Sequence, residues 1–110
     1  MNSSNIEIRR NDPKSLNKFA ELNAAWIKDM HFLEESDKLM IAKPEIYTQN
    51  GNHVFSAYLD QKVVGAVALM KHKNDKYELT KMAVDNNYRN KGIGQKLINE
   101  LERYAKEDMG

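Results

Sequence analysis

The sequence predicts a single α/β domain of the α+β type, in which helices flank a mixed, mostly antiparallel sheet. Three observations predict this fold class. One strand-like segment lies near the N-terminus, three more follow one another later in the chain, and amphipathic helical segments precede and follow those three. The chain has 110 residues, which is the size of one domain, so residues 1–110 are treated as a single domain.

Composition supports a folded chain and argues against several classes of function. Apolar residues make up 41% and charged residues 30% of the chain, a balance typical of globular proteins. The net charge of +1 argues against nucleic-acid and membrane-surface binding. The absence of cysteine excludes disulfides, Cys-zinc sites and thiol catalysis. We expect a cytoplasmic protein, because the sequence shows neither a signal-peptide pattern nor an apolar run of membrane-helix length.

The N-terminal part predicts a strand followed by a helix. Residues 6–9 alternate apolar and charged side chains, which indicates a short, half-buried strand. Asp12 is a good N-cap residue and Pro13 suits the first helical position. Apolar residues then recur with helical spacing as far as residue 30, so residues 13–30 are predicted to form an amphipathic helix.

The next segment is mainly helical and less regular. Residues 34–41 predict a short helix that opens on a run of acidic and polar residues. Pro44 begins another turn, and Asn50 with Gly51 ends it in a left-handed conformation.

Three strands are predicted in the second half. Residues 54–59 and 63–70 are rich in apolar residues and are joined by a tight turn at residues 60–61. Gly65 inside the second strand indicates a bulge or the close approach of another backbone. Residues 77–84 form the third strand after a polar connection.

A loop and a strongly amphipathic helix complete the chain. Residues 85–91 predict the loop, and from Gly92 onwards apolar residues recur on one helical face. Gly110 stands where a C-cap glycine would stand.

The segment 77–98 carries the chemistry that the sequence reveals. A helix N-terminus presents unpaired N–H groups and a partial positive charge. Gly92 and Gly94 let a bulky anion approach the backbone, and Arg89 and Lys91 add charge. The segment therefore predicts a pyrophosphate-binding loop. The alternative is that the glycines serve only the turn and that both cations are solvated.

Arg89-Asn90-Lys91-Gly92-Ile93-Gly94 resembles motif A of the GNAT superfamily of N-acetyltransferases, which is Arg or Gln, two residues, Gly, one residue, then Gly or Ala. The resemblance covers about residues 5–110 and includes the order of strands and helices. It implies a GNAT-like acyl-CoA N-acyltransferase fold. It also implies transfer of an acetyl group from acetyl-CoA to a primary amine of a small molecule or peptide, with no metal.

The resemblance also implies which residues bind acetyl-CoA. The loop would bind the pyrophosphate through main-chain amides, and the end of the preceding strand would pair with the pantetheine arm. The residues concerned are Met82, Ala83, Val84, Arg89, Asn90, Lys91, Gly92, Ile93, Gly94 and Gln95.

Glu78 is the candidate catalytic residue. In several lysine acetyltransferases that this chain resembles, a strand glutamate at this spacing before the arginine acts as general base. Acetyl transfer needs a neutral amine, and a carboxylate can take the proton directly or through water. The alternative is a solvent-facing glutamate that pairs with Lys81 or Lys62. On a regular strand Glu78 would share a face with Met82, and a bulge would break that alternation.

The acceptor pocket is expected around the first two helices. Residues there that bear on recognition are Trp26, His31, Phe32, Glu34, Glu35 and Asp37. The acidic group would attract a cationic amine, although an N-cap and a solvated helix start explain the same residues. His53 and His72 are expected to be isolated, so no metal site is predicted.

Complete members of the family continue beyond this helix into further strands and another helix. We therefore expect a partial domain that lacks the C-terminal strands, with no match to the tyrosine that protonates the leaving thiolate in the family. The strand 77–84 would then be an exposed sheet edge, which favours a homodimer or a complementing strand. A second hypothesis is a non-catalytic module that binds coenzyme A or assembles with a partner.

Overall fold

The computed structural model describes residues 5–30 and 34–107. His31, Phe32 and Gly110 lie outside these ranges. The elements in chain order are β1 (Ile6–Arg10), α1 (Leu16–Met30), α2 (Glu35–Ala42), β2 (His53–Leu59), β3 (Lys62–His72), β4 (Lys76–Val84) and α3 (Ile93–Glu107). The predicted order of strands and helices is confirmed, and each predicted boundary agrees with the structure to within a few residues.

The four strands form one sheet in the order β1-β2-β3-β4. The three pairings between neighbouring strands are all antiparallel. The part of the chain that the structure describes therefore contains the antiparallel portion of the expected mixed sheet. β4 is an edge strand of this sheet.

Two apolar clusters lie on opposite faces of the sheet. On one face α3 packs Ile93, Leu97 and Leu101 against β2 and β3. On the other face α1 contributes Phe19 and α2 contributes Met40. Each fully buried side chain of this size contributes about 1.5–3 kcal/mol relative to exposure, so the clusters hold the helices in fixed positions on the sheet.

Asp12 and Pro13 begin a 3-10 turn, Pro13–Ser15, which has the predicted cap and leads into α1. The Asp12 carboxylate accepts a hydrogen bond from the Lys14 N–H at 3.0 Å and another from the Tyr58 hydroxyl at 2.8 Å. Both bonds hold the pKa of Asp12 below its usual range, with the Tyr58 bond as the larger cause. The cap therefore fixes the beginning of the helix and also joins it to β2.

Gly65 is a contact point between the sheet and α3. A Cβ atom at this position would lie 2.9 Å from Cγ2 of Ile93. The group that approaches Gly65 closely is therefore a helix side chain and not another backbone. The predicted irregularity lies beside it, because β2 and β3 shift register so that Val64 has no direct partner.

β4 contains a second bulge. Its register with β3 is regular up to Thr80 and resumes at Ala83. Lys81 and Met82 therefore both stand opposite Val67. Lys81 has a left-handed backbone, with φ of +54°, which is a strained conformation for a residue other than glycine.

His53, at the start of β2, contacts Asn11 after β1 and Tyr104 on α3. Asn11 accepts from the Val54 N–H through Oδ1, so its Nδ2 donates to Nδ1 of His53 at 2.9 Å. Nε2 of His53 then carries the proton and donates to the Tyr104 hydroxyl at 3.2 Å. Burial, aided by the charge of Arg10, lowers the pKa of His53. The folded state therefore favours the neutral imidazole.

This arrangement predicts a pH-dependent stability. Because the pKa of His53 is lowered in the folded state, the unfolded chain takes up the proton more readily, and stability falls as the pH drops below about 6.5. Chemical denaturation at a series of pH values above the range in which carboxylates titrate measures how the free energy of unfolding changes with pH. The His53→Gln variant keeps hydrogen-bonding groups but does not titrate, so its slope should be flatter. Equal slopes in the two proteins would contradict the prediction.

Candidate functional site

The chain turns from β4 into α3 through a loop of defined conformation. The Asp85 side chain accepts a hydrogen bond from the Asn87 N–H at 2.9 Å, and the Asp85 N–H donates to the Val64 carbonyl at 2.8 Å. Asn90 and Gly92 both have left-handed backbones, with φ of +64° and +77°. These two residues reverse the chain so that the N-terminus of α3 faces the end of β4.

A cavity of about 330 Å³ lies between the end of β4, the loop and the start of α3. It is lined by Met82, Ala83, Val84, Tyr88, Arg89, Asn90, Gly92, Ile93 and Gly94. Eight of the ten residues predicted to bind the cosubstrate are among them. Lys91 and Gln95 are not, and the Gln95 side chain donates to Asn99 on α3. Tyr88 lines the cavity although it was not in the predicted set.

This cavity has the features that an anionic group needs. A Cβ atom at Gly92 would meet nothing within 4 Å, so the space in front of the loop is open. Because there is room for a side chain, the requirement for glycine at this position comes from its positive φ. The first N–H groups of α3 have no partner within the helix, and they carry its partial positive charge. Arg89 and Lys91 are exposed beside them. The arrangement fits the pyrophosphate of a nucleotide cosubstrate.

A second cavity of about 430 Å³ adjoins the first on the side of α1. Val84 and Arg89 line both cavities. The helix contributes Lys18, Glu21, Leu22 and Ala25, and the loop contributes Asp85, Asn86 and Asn87. The sequence did not indicate this part of α1, because its residues there follow an ordinary amphipathic pattern.

The β4 bulge separates Glu78 from the cavity-lining side chains of the same strand. Glu78 pairs with Met70, which packs against the cluster under α1 and α2. Met82 and Val84, beyond the bulge, pack against the cluster under α3. The alternation of a regular strand is therefore broken, as a bulge would require, and Glu78 lies on the opposite face from Met82.

Glu78 has a partner that was not predicted from the sequence. Its Oε1 lies 2.8 Å from Nε2 of His72, and both side chains are more than half exposed. The alternative of a solvent-facing Glu78 agrees with this exposure, but Lys81 pairs with Asp37 and Lys62 lies over the Tyr88 ring, so neither lysine is its partner. His72 is therefore not isolated. The signal was the β3–β4 hairpin register, which brings His72 and Glu78 to one face of neighbouring strands.

The acidic residues near the start of α2 have structural partners. Asp37 accepts a hydrogen bond from the Glu34 N–H at 3.0 Å, which caps the helix. Glu35 lies 3.5 Å from the Lys38 ammonium in solvent. Nζ of Lys81 lies 2.7 Å from Asp37, and this contact, as the larger cause, holds the pKa of the buried carboxyl below its usual range. These contacts support the interpretation of the acidic run as a helix start.

Tyr47 brings a hydroxyl to the same side of β4. It is buried beside Phe19, with ring centroids 5.5 Å apart. Burial raises the pKa of Tyr47, while the charge of Lys81 lowers it and those of Asp37 and Glu78 raise it further. Nothing in the sequence distinguished Tyr47 from an ordinary core tyrosine.

Residues 5–30 and 34–107 contain no group of three or more His, Asp or Glu side chains arranged to hold a metal ion. None of the helices in these ranges has the length and apolar character required to cross a membrane.

Comparison with known proteins identifies the family and similar folds. A sequence model of the acetyltransferase (GNAT) family matches residues 20–110. An acetyltransferase of the GNAT family from Staphylococcus aureus MU50 shares 26% identity and a TM-score of 0.79, with 94% of this chain and 67% of that chain covered. No curated protein sequence matches significantly.

Two further solved structures are similar. An aminoglycoside acetyltransferase from an uncultured soil metagenomic sample has 26% identity and a TM-score of 0.66, with 96% of this chain and 73% of that chain covered. A predicted acetyltransferase from Clostridium acetobutylicum, solved with acetyl-CoA, has 16% identity and a TM-score of 0.69, with 94% and 75% covered. At 16% identity, the similarity to the Clostridium acetobutylicum protein is evidence for the fold alone.

Proposed function

Because the chain belongs to the acetyltransferase (GNAT) family, we propose that it transfers an acetyl group from acetyl-CoA to a primary amine of a small molecule or peptide. The observation that carries this proposal is the single cavity that joins the end of β4, the Arg89 loop and the N-terminus of α3. Similar structures include an aminoglycoside acetyltransferase in complex with sisomicin and a ribosomal-protein-alanine N-acetyltransferase from Brucella melitensis. The proposal therefore includes both small-molecule and peptide acceptors.

The loop and the first turn of α3 bind the pyrophosphate. The main-chain N–H groups from Gly92 to Gln95 donate to its oxygens, and Arg89 adds a charged donor at the cavity wall. Lys91 is exposed outside the cavity lining, so it acts through its charge and not by direct contact. Asn90 contributes through its left-handed backbone, which aims the following N–H groups at the anion.

The end of β4 binds the pantetheine arm. Residues 82–84 lie on an edge strand, so their outward peptide groups are available to pair with the amides of the arm. Their position next to the loop places the arm between the pyrophosphate and the bulge. A main-chain N–H near the bulge polarises the thioester carbonyl as negative charge develops on its oxygen.

Glu78 accepts the proton of the acceptor amine. The amine nitrogen forms its bond to the acetyl carbon as the carbon–sulfur bond breaks, and the electron pair leaves with the thiolate. The proton lost from nitrogen passes to the Glu78 carboxylate, directly or through water. His72, within hydrogen-bond distance of Glu78, orients that carboxylate. Glu78 lies on the face of the sheet that α1 and α2 cover, and the acceptor approaches from that face.

Calorimetric titration of acetyl-CoA tests the binding part of this proposal. Saturable binding is expected. The Arg89→Ala variant should bind about tenfold more weakly because a charge-assisted hydrogen bond is lost, and Gly92→Ala should weaken binding because its φ of +77° strains alanine. Arg103→Ala removes an arginine from α3 outside this cavity and should bind normally. A folded chain without saturable binding, or with equal losses in all variants, would contradict the proposal.

Thiol release from acetyl-CoA with a panel of primary amines tests the chemistry. Glu78→Gln should lower kcat by about 100-fold while acetyl-CoA affinity stays unchanged, and higher pH should restore part of the rate because more amine is neutral. Glu102→Gln, an exposed glutamate on α3, is the matched control. Unchanged turnover in Glu78→Gln would remove the general-base role. Binding without thiol release for any amine would favour a non-catalytic module that binds coenzyme A.

The unpaired outer edge of β4 favours association with a second copy of the chain or with another strand. Within the described ranges β4 pairs only with β3, and Tyr77 and Leu79 are 37% and 42% exposed. Unpaired edge groups beside apolar side chains favour pairing with a second copy or another complementing strand. Sedimentation over a range of concentrations should therefore show self-association. A stable monomer at high concentration would count against the homodimer.

A further inference from the structure

The β4 bulge is centred on a lysine, a residue for which the bulged backbone conformation is energetically unfavourable. Lys81 holds a left-handed φ of +54°, and such a conformation costs a lysine more than it costs a glycine. A conformation of this kind persists only where the surrounding structure imposes it. Two contacts from the helices on one face of the sheet meet at this residue, one at its carbonyl and one at its ammonium.

Asn23 on α1 holds the main chain of the bulge. Its Nδ2 donates to the Lys81 carbonyl at 3.0 Å and also to the Phe19 carbonyl at 3.0 Å. The side chain is buried, with 4% of Asn23 exposed. Both donor hydrogens of the amide are therefore used, and one of them ties the bulge to the helix.

Asp37 on α2 holds the side chain of the bulge. Its Oδ1 accepts from Nζ of Lys81 at 2.7 Å, and its Oδ2 accepts from the N–H of Glu34 at the helix start. Only 9% of the Asp37 side chain and 19% of the Lys81 side chain are exposed. Since removal of one partner would leave a largely buried charge unpaired, the pair resists local rearrangement.

The conformation of Lys81 determines how the following residues are presented. One extra residue in the strand moves every later side chain to the other face of the sheet. It also changes by one residue which peptide groups point to the outer edge. Without the bulge, Met82 would face α1 and α2. With it, Met82 packs on the α3 side and lines the cavity. The bulge therefore sets the peptide groups of residues 82–84 that the cosubstrate arm meets.

We propose that Asn23 and the Asp37–Lys81 pair are positioning residues, which hold the β4 bulge so that residues 82–84 present their main chain to the pantetheine arm. The proposal rests on the function proposed above. It assigns no contact with the cosubstrate to these three side chains. It predicts that their loss weakens ligands that contain the arm and spares ligands that contain only the pyrophosphate.

Calorimetric titrations with coenzyme A and with ADP test this selectivity, because ADP keeps the pyrophosphate but lacks the arm. Asn23→Ala should weaken coenzyme A binding about tenfold, as expected for misplaced binding groups, and leave ADP binding within about twofold. Asn17→Ala, an exposed asparagine on the same helix, should change neither. Thermal denaturation of each variant confirms that it is folded.

A second pair of variants keeps the test decisive if Asn23→Ala fails to fold. Both Lys81→Ala and Lys81→Gly lose the ion pair. The φ of +54° strains alanine but not glycine, so the glycine variant keeps the bulge more readily without the ion pair. Coenzyme A should bind more tightly to Lys81→Gly than to Lys81→Ala, with ADP binding unchanged in both. Equal losses for coenzyme A and ADP, or no loss for either, would overturn the positioning role while the proposed function stands. Binding of neither ligand to the unaltered chain would overturn both.

Discussion

The left-handed backbone of Lys81 is the constraint on which the arrangement of this site depends. It adds one residue to β4 and so divides the strand into two halves that face different helices. The first half carries Glu78 on the face covered by α1 and α2, where Tyr47 is buried. The second half carries Met82 to Val84 along the cavity at the start of α3. One strand thereby serves the proposed acceptor side and the proposed cosubstrate side at once.

Packing on both faces of the sheet maintains this division. Under α1 and α2, buried polar groups hold the bulge, although apolar residues in their place would avoid the cost of burying charge. On the other face Gly65 lets Ile93 approach the sheet closely, which places the first turn of α3 against the end of β4. Polar contacts therefore fix the strand, and apolar contacts fix the helix that closes the cavity.

Sequence patterns identified the elements of the fold and the loop of the site, because each depends on local preferences. Asp12 and Pro13 marked the start of α1, and the glycines marked the turn into α3. A bulge in β4 was considered from the sequence, but its position and two other features were not predicted because they depend on tertiary contacts. The bulge lies at a lysine, Asn23 lies within an amphipathic helix, and His72 meets Glu78 only through the hairpin register. Propensity alone would not place a left-handed backbone at Lys81, since the helices impose it.

Hydrogen exchange of individual backbone amides, with and without acetyl-CoA, tests the central claim most directly. The claim is that the bulged strand and the start of α3 bind acetyl-CoA together. Acetyl-CoA should therefore slow exchange at the amides of residues 82–84 and 92–95, with little change in β1 at the far edge of the sheet. Protection at the start of α3 without protection of residues 82–84, or protection confined to another part of the chain, would contradict the account.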